Sequence, residues 1–258
     1  MQTTTTKNLT LRIKPSSITV ALLSIVLLLA AAHTLVHLIS YTFDVPSENM
    51  FGLKHFFDMG TESNLPTYIS ALILLLTGGL LTCIAHFESN NQRKPAWHWW
   101  GLAICLVYMS FDEATMIHEG LIGANLTKHF GRGEGIWYYT WYKMYIPVVI
   151  FISVLYLPFM LRLPRRYSLR LLLAAVIFLS GSIGFEMLES YVESHRMRGR
   201  DLVRLFEETS EMLGVVLAIH TLLLYLAEYK TSFLLEFKET DEFYDESPER
   251  QVQSNIAI

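Results

Sequence analysis

Residues 17–40 have the sequence SITVALLSIVLLLAAAHTLVHLIS, an apolar stretch that contains no Asp, Glu, Lys or Arg. A membrane-spanning helix needs about 20 predominantly apolar residues, because each residue adds about 1.5 Å across a hydrocarbon core of about 30 Å. The small residues Ala30, Ala31 and Ala32 resemble a signal-peptide cleavage site. The apolar character continues past them to Ile39, so we expect an uncleaved transmembrane helix.

Apolar stretches of similar length recur along the chain, in which 52% of the residues are hydrophobic. They predict an all-α polytopic membrane helix bundle with about six transmembrane helices. The predicted spans are 17–40, 66–87, 98–121, 137–161, 168–191 and 206–228. We expect a cytoplasmic N-terminal segment at residues 1–16, a six-helix transmembrane domain at 17–229, and an acidic, disordered cytoplasmic tail at 230–258.

Charge and cysteine content exclude several classes of protein. The net charge is −4, and no basic face of the kind that nucleic-acid binding requires is present in the sequence. Cys83 and Cys105 both lie in apolar stretches, which excludes a disulfide framework and a cysteine-rich zinc site. We therefore expect membrane lipid as the main partner, and the sequence does not indicate an oligomeric state.

The basic residues in the connections predict the orientation. With the N-terminus inside, more of the Lys and Arg residues lie on the cytoplasmic side, as the positive-inside rule requires. The stretch RMRGR at residues 196–200 opposes this assignment because it follows the fifth span. We expect a multi-pass protein of the cell membrane with both termini in the cytoplasm.

Ionisable residues interrupt three of the predicted spans. The third span contains SFDEATMIHEG at residues 110–120, the fifth contains GFEMLESYVESH at 184–195, and the sixth begins with LFEETSEMLG at 205–214. Because consecutive spans run in opposite directions, all three groups lie at the same end of the bundle. His33 and His37, four residues apart on one face of the first span, lie at that end as well.

Several acids in one membrane layer require compensation. A charged carboxylate at the centre of a transmembrane helix costs about 2.5 to 3.5 kcal/mol, and like-charged acids in one pocket cannot all stay ionised without a counter-ion. A divalent transition metal, iron, manganese or zinc, would neutralise them, since these metals accept oxygen and imidazole ligands. The predicted ligands are His33, His37, Asp112, His118, Glu186, Glu208 and Glu211.

Two further acids, Glu119 and Glu189, are the predicted catalytic residues, because an acid beside a metal can act as a general base. In a continuous helix Asp112 and Glu119 share one face, and His118 joins them only if the helix rotates or ends early. We assign Glu113, Glu193, Glu207 and His195, which lie near helix ends, to the headgroup region or to water. His86 and His220 lie in the opposite half of the bundle.

The motifs FDEATMIHEGL, GFEMLESY and EETSEMLG resemble the acidic motifs of bacterial multi-span membrane proteins that have a DE...HE segment. The resemblance covers the third, fifth and sixth spans. It implies a bacterial origin and a shared site, and that family brings no established activity.

Three functions are compatible with these features. A metal-dependent membrane enzyme, hydrolytic or oxidative, would use the acids and histidines on a lipid or other hydrophobic substrate. A proton- or cation-coupled transporter would also bury acids, but broken helices or inverted repeats near the midplane, which are typical of transporters, are not evident in the sequence. A non-catalytic subunit or sensor would bind a structural cation or a basic helix of a partner.

Overall fold

The computed structural model describes residues 14–90 and 96–228, and every regular element within these ranges is helical. Residues 1–13 of the predicted N-terminal segment (1–16) and the whole predicted tail at 230–258 lie outside the described residues. The main helices are α1 (Pro15–Thr42), α2 (Leu53–Phe57), α3 (Leu65–Asn90), α4 (Trp97–Thr115), α5 (Ala124–Phe130), α6 (Tyr142–Arg162), α7 (Arg165–Leu179), α8 (Glu186–Ser194) and α9 (Arg200–Glu228). A π-helical turn, Ile117–Gly123, precedes α5, and another, Ser180–Phe185, joins α7 to α8.

The structure confirms the predicted all-α membrane bundle. Five helical segments are long and apolar enough to cross a membrane, and a sixth is obtained if α4 and the bent segment Ile117–Phe130 count as one span. The helices α7 and α8, with the turn between them, form a single span from Arg165 to Ser194. Helix α9 begins at Arg200 rather than at residue 206, so two arginines precede the cluster of glutamates at 207–211 on the same helix.

Helix α1 lies at the periphery of the bundle and contacts it along one stripe. Its buried residues are Val26, Leu29, His33 and Val36, which recur at helical spacing. The Thr19 hydroxyl lies 2.7 Å from His220 Nδ1, which shows that the start of α1 is beside the end of α9. The two helices are therefore antiparallel, and His33 and His37 lie near the beginning of α9.

The third span is broken at Met116, inside the acidic motif. Met116 has a φ of 57°, in the left-handed region, and the chain axis turns by 72° between α4 and Ile117–Phe130. The His118 N–H donates a hydrogen bond of 2.8 Å to Asp112 Oδ1, so Asp112 stabilises the break. The expected common face of Asp112 and Glu119 assumes a continuous helix, and the break removes that relation while bringing His118 to Asp112.

Close packing places the fifth and sixth spans beside each other. A Cβ atom added at Gly181 would lie 2.6 Å from Glu211 Cγ and 2.8 Å from the carbonyl oxygen of Glu207. At Gly214 a Cβ atom would lie 2.7 Å from Phe178 N. Only glycine allows this approach. The acids at the start of α9 therefore lie directly against the π-helical turn that leads into α8.

Candidate functional site

The predicted acids and histidines lie at one end of the bundle, which we call the acidic end. It comprises the last turns of α1, the break after α4, α8 and the first turns of α9, together with the connection between α2 and α3. The structure arranges the side chains there into a carboxylate cluster, a histidine-aspartate group and a set of acids around Glu113.

The carboxylate cluster consists of Glu186, Glu189 and Glu207, whose nearest oxygen atoms all lie within 4.8 Å of one another. Glu186 is 2% exposed, and its Oε1 accepts a hydrogen bond of 2.9 Å from the indole N–H of Trp141. The carboxyl groups of Glu186 and Glu207 thus lie close to each other. The second oxygen of Glu207, Oε2, is buried and has no hydrogen-bond partner. Two buried carboxyl groups at this distance cannot both stay ionised unless a proton or a cation compensates them.

Glu189, the third member, has cationic partners of its own. Its Oε1 accepts hydrogen bonds from Arg200 Nε at 2.8 Å and from Arg204 Nε at 2.9 Å. The Tyr139 hydroxyl donates to the same oxygen at 3.0 Å. Burial and the adjacent Glu189 carboxylate raise the pKa of the Tyr139 phenol, which keeps its proton in place. The Glu189 charge is thus already balanced, and this residue orients two guanidinium groups.

Asp112 and His118 form a pair at the break in the third span. Asp112 Oδ2 lies 3.2 Å from His118 Nδ1, and the His118 ring packs edge-on against Trp141 with centroids 4.7 Å apart. Trp141 therefore contacts both His118 and Glu186. The helix ends early, which is the condition under which the sequence allowed His118 to join Asp112, and the pair lies next to the carboxylate cluster.

Four half-buried acids, Glu62, Glu113, Glu208 and Glu211, lie close enough for their charges to act on one another. Glu62 comes from the connection before α3, outside the membrane-spanning segments. Burial raises the pKa of Glu62, and the negative charge of Glu119 adds to that rise. The sequence predicted Glu208 and Glu211 as ligands, and the structure adds two acids to their surroundings.

The histidine-aspartate group consists of His33, His37 and Asp58, with ligand atoms within 4.8 Å of one another. His33 is 2% exposed, and the two imidazole rings stack with centroids 4.3 Å apart. The negative charges that act on these rings come from Asp58 and from Asp201 at the start of α9, and the positive charge of Lys54 also acts on His37. This group is therefore separate from the carboxylate cluster.

A cavity of about 300 Å³ opens beside the carboxylate cluster. The side chains that line it include Glu119, Arg132, Tyr138, Tyr139, Trp141, Glu186, Glu189, Arg200 and Arg204. Glu119 is exposed, whereas Glu186 and Glu189 are buried in the wall. The cavity thus presents carboxylates, guanidinium groups and two phenols to whatever enters it.

Sequence reasoning missed several of these residues. Asp58 and Glu62 lie in a connection, where hydropathy carries no signal for a site. The expected place of Glu207 in the headgroup region or in water is not where the structure puts it, since it lies in the carboxylate cluster. Arg200, Arg204, Glu207 and Glu211 recur every three or four residues and so share one face of α9, and this spacing is the sequence signal for the site.

The family model of a domain of unknown function, DUF8692, matches residues 20–226. The match covers more than half of the chain, so the chain belongs to this family. No curated protein and no solved structure matches it.

Proposed function

We propose that this DUF8692 member is a metal-dependent membrane enzyme that acts on a lipid or another hydrophobic substrate. The observation that carries the proposal is the close pair Glu186 and Glu207, in which Glu186 lines the cavity and Glu207 Oε2 is buried without a hydrogen-bond partner. An unpartnered carboxylate oxygen in a buried site is costly unless a proton or a cation binds there. A bound cation would satisfy both carboxylates at once.

The donor atoms favour manganese or iron at this cluster. Carboxylate oxygen suits magnesium, calcium and manganese, while imidazole suits zinc, copper, iron and nickel. Glu186 and Glu207 supply oxygen, and His118 lies nearby through its contact with Trp141. Glu189 is a weaker candidate ligand because Arg200 and Arg204 already bind its Oε1.

The cavity is the proposed substrate site. A metal ion in it would act as a Lewis acid or activate a water molecule. Glu119, exposed in the cavity, is positioned to accept a proton as a general base. Arg200 and Arg204 would bind oxygen atoms of a lipid headgroup, and Glu189, together with the Tyr139 hydroxyl that donates to it, would hold the two guanidinium groups in place.

The same proposal includes the cell membrane of a bacterium as the location, with both termini in the cytoplasm. Arg200 and Arg204 count against that orientation by the positive-inside rule, but their ion pairs with buried Glu189 give them a structural reason to lie at the acidic end. A fluorescent protein that matures only in the cytoplasm, fused after residue 258, would fluoresce if the orientation is correct. A dark fusion of a well-expressed protein would reverse it.

A second candidate function is cation- or proton-coupled transport, and the break at Met116 favours it. Discontinuous transmembrane helices form the ion sites of many transporters. Here the break lies between Asp112 and His118, within the acidic layer. A transporter would move protons or cations across the membrane of a sealed proteoliposome, whereas the proposed enzyme would not.

Elemental analysis of the detergent-purified full chain tests the proposed metal centre. We expect near-stoichiometric manganese or iron in the wild type and its loss in Glu186→Gln and Glu207→Gln. Glu193→Gln is the matched control, because Glu193 lies on the same helix as Glu186. Among the described residues, its carboxylate forms an ion pair with Arg200. Folded wild type that binds neither metal would overturn the proposal.

Lipid turnover tests the reaction. The metal-loaded protein, reconstituted in bacterial lipid, should produce a new lipid species detectable by mass spectrometry, and Glu119→Gln should abolish it while retaining the metal. Metal-dependent ion flux without any lipid product would favour the transporter instead.

A further inference from the structure

The histidine-aspartate group has the spacing of a metal site rather than of a hydrogen-bonded triad. Asp58 Oδ1 lies 3.5 Å from His33 Nδ1 and 3.5 Å from His37 Nε2. These separations are at the limit for hydrogen bonds, whose donor and acceptor atoms usually lie about 2.7 to 3.2 Å apart. His37 Nε2 is buried and has no hydrogen-bond partner. The Asp58 carboxylate and the two rings therefore converge at separations too long for strong hydrogen bonds.

A tetrahedral cation fits this spacing. Ligand atoms about 2.1 Å from a tetrahedral zinc lie about 3.4 Å from one another, which is close to both measured separations. Two imidazoles and one carboxylate are also the protein ligands of many catalytic zinc sites and of non-haem iron sites. The donor set of this group thus differs from that of the oxygen-rich carboxylate cluster.

The surroundings of the group orient its members. Asp201 Oδ2 lies 3.3 Å from His37 Nδ1, so a carboxylate faces the ring nitrogen opposite the one that points to Asp58. Metal-binding histidines commonly have such a carboxylate, which orients the ring and increases its basicity. The Gly60 N–H donates a hydrogen bond of 2.9 Å to Asp58 Oδ1 and so holds the aspartate.

We propose that His33, His37 and Asp58 bind a divalent metal ion such as zinc at a second site, separate from the carboxylate cluster. At His33 Nδ1 the cation takes the place of the Met59 N–H, which donates to that atom at 3.0 Å. The bound metal joins α1 to the connection between α2 and α3. It thereby fixes the segment that carries Glu62 and the carbonyl of Gly60, to which Arg204 donates a hydrogen bond.

Zinc binding by the full chain in detergent tests this second site. We expect one tightly bound zinc per chain whose X-ray absorption fine structure shows imidazole ligands. His37→Gln and Asp58→Asn should each lose that equivalent. His195→Gln should keep it, because His195 is exposed and its ring nitrogen contacts only the backbone of its own turn among the hydrogen bonds of the described residues.

Two further variants keep the test decisive. The Asp201 side chain is exposed and its carboxylate faces His37 Nδ1, so Asp201→Asn should leave the fold intact and lower zinc affinity about 10- to 100-fold. Glu207→Gln should retain this zinc even though it loses the metal of the carboxylate cluster. Wild type without imidazole-bound zinc, or zinc binding unchanged in His37→Gln and Asp58→Asn, would overturn the second site. Neither result bears on the carboxylate cluster.

Discussion

The two ends of the bundle bury acids in opposite ways. At the end away from the site, which we call the aromatic end, Glu88 is 5% exposed and its Oε1 accepts a hydrogen bond of 2.6 Å from the Tyr225 hydroxyl. The surrounding core contains Trp99, Tyr156, Phe159 and Tyr167. At the acidic end, carboxylates outnumber the arginines that are paired with them, and Glu207 Oε2 has no partner.

This difference separates structural from functional burial of charge. A single acid with a matched donor is compensated inside the fold and needs nothing from outside. A surplus of acids is compensated only by protons or by a cation, and such a surplus costs stability when neither binds. The acidic end is therefore the part of the molecule where we expect protons or a cation to bind.

The largest expected effect on stability comes from removing Glu189, the acid of the carboxylate cluster whose charge is balanced by two arginines. Glu189→Ala leaves Arg200 and Arg204 without their shared carboxylate, and we expect a loss of about 3 kcal/mol in the free energy of unfolding. The control Glu193→Ala breaks a pair at the more exposed position and should cost less than about 1 kcal/mol. Chemical unfolding in mixed micelles measures both, and equal losses would show that Glu189 is not the centre of the network.

The next largest expected effect is a change in the free energy of unfolding that has opposite signs at the two ends of the bundle. Tyr225→Phe leaves buried Glu88 without its donor and should cost about 1 to 3 kcal/mol. Glu207→Gln should instead stabilise the metal-free protein, because it removes one charge from a surplus. Tyr41→Phe, at an exposed position, is the control. If Glu207→Gln destabilised the protein in the presence of a chelator, the acidic end would not hold an uncompensated excess of carboxylates.

Trp141 tests whether Glu186 is a metal ligand. Trp141→Phe removes the N–H that donates to Glu186 Oε1, and we expect metal affinity at the carboxylate cluster to fall about 10- to 100-fold. Trp99→Phe, a buried tryptophan at the aromatic end, should leave the affinity unchanged. Competition titration with a fluorescent chelator measures both, and identical affinities in the two variants would argue against ligation by Glu186.

The smallest expected effect is a pH dependence at Glu62. Its pKa is raised above the ordinary value of 4.5, so its contribution to stability is fully present below that value and is lost as pH rises through the pKa in the folded protein. Relative to wild type, Glu62→Gln should therefore gain stability as pH rises. Melting temperatures across a pH series in chelator test this, with exposed Glu134→Gln as the control. A constant difference between Glu62→Gln and wild type would refute the prediction.

Much of this comparison could be predicted from the sequence. The apolar stretches predict the spans, and alternation of their direction places the acids of the third, fifth and sixth spans at one end. His33 and His37 could be assigned to a common face from their spacing alone. The metal, the reaction and the orientation stay predictions, because the fold restrains none of them by itself.

Other features depended on contacts that no local pattern records. Asp58 and Glu62 reach the site from a connection, and Tyr139 and Trp141 reach it from the start of the fourth span, where aromatic residues are typical of the membrane interface. The break at Met116 has no proline beside it, so the pairing of Asp112 with His118 was expected only conditionally.

By itself the sequence determined that this protein is a helical membrane bundle with an acidic layer, because hydropathy and helix direction are properties of each span alone. Tertiary structure decided which acids are compensated by arginine, which share a site and which meet a histidine. Those pairings depend on how each helix is rotated, where one breaks and how closely Gly181 lets two approach, and such distances of a few ångströms arise only when the spans pack together.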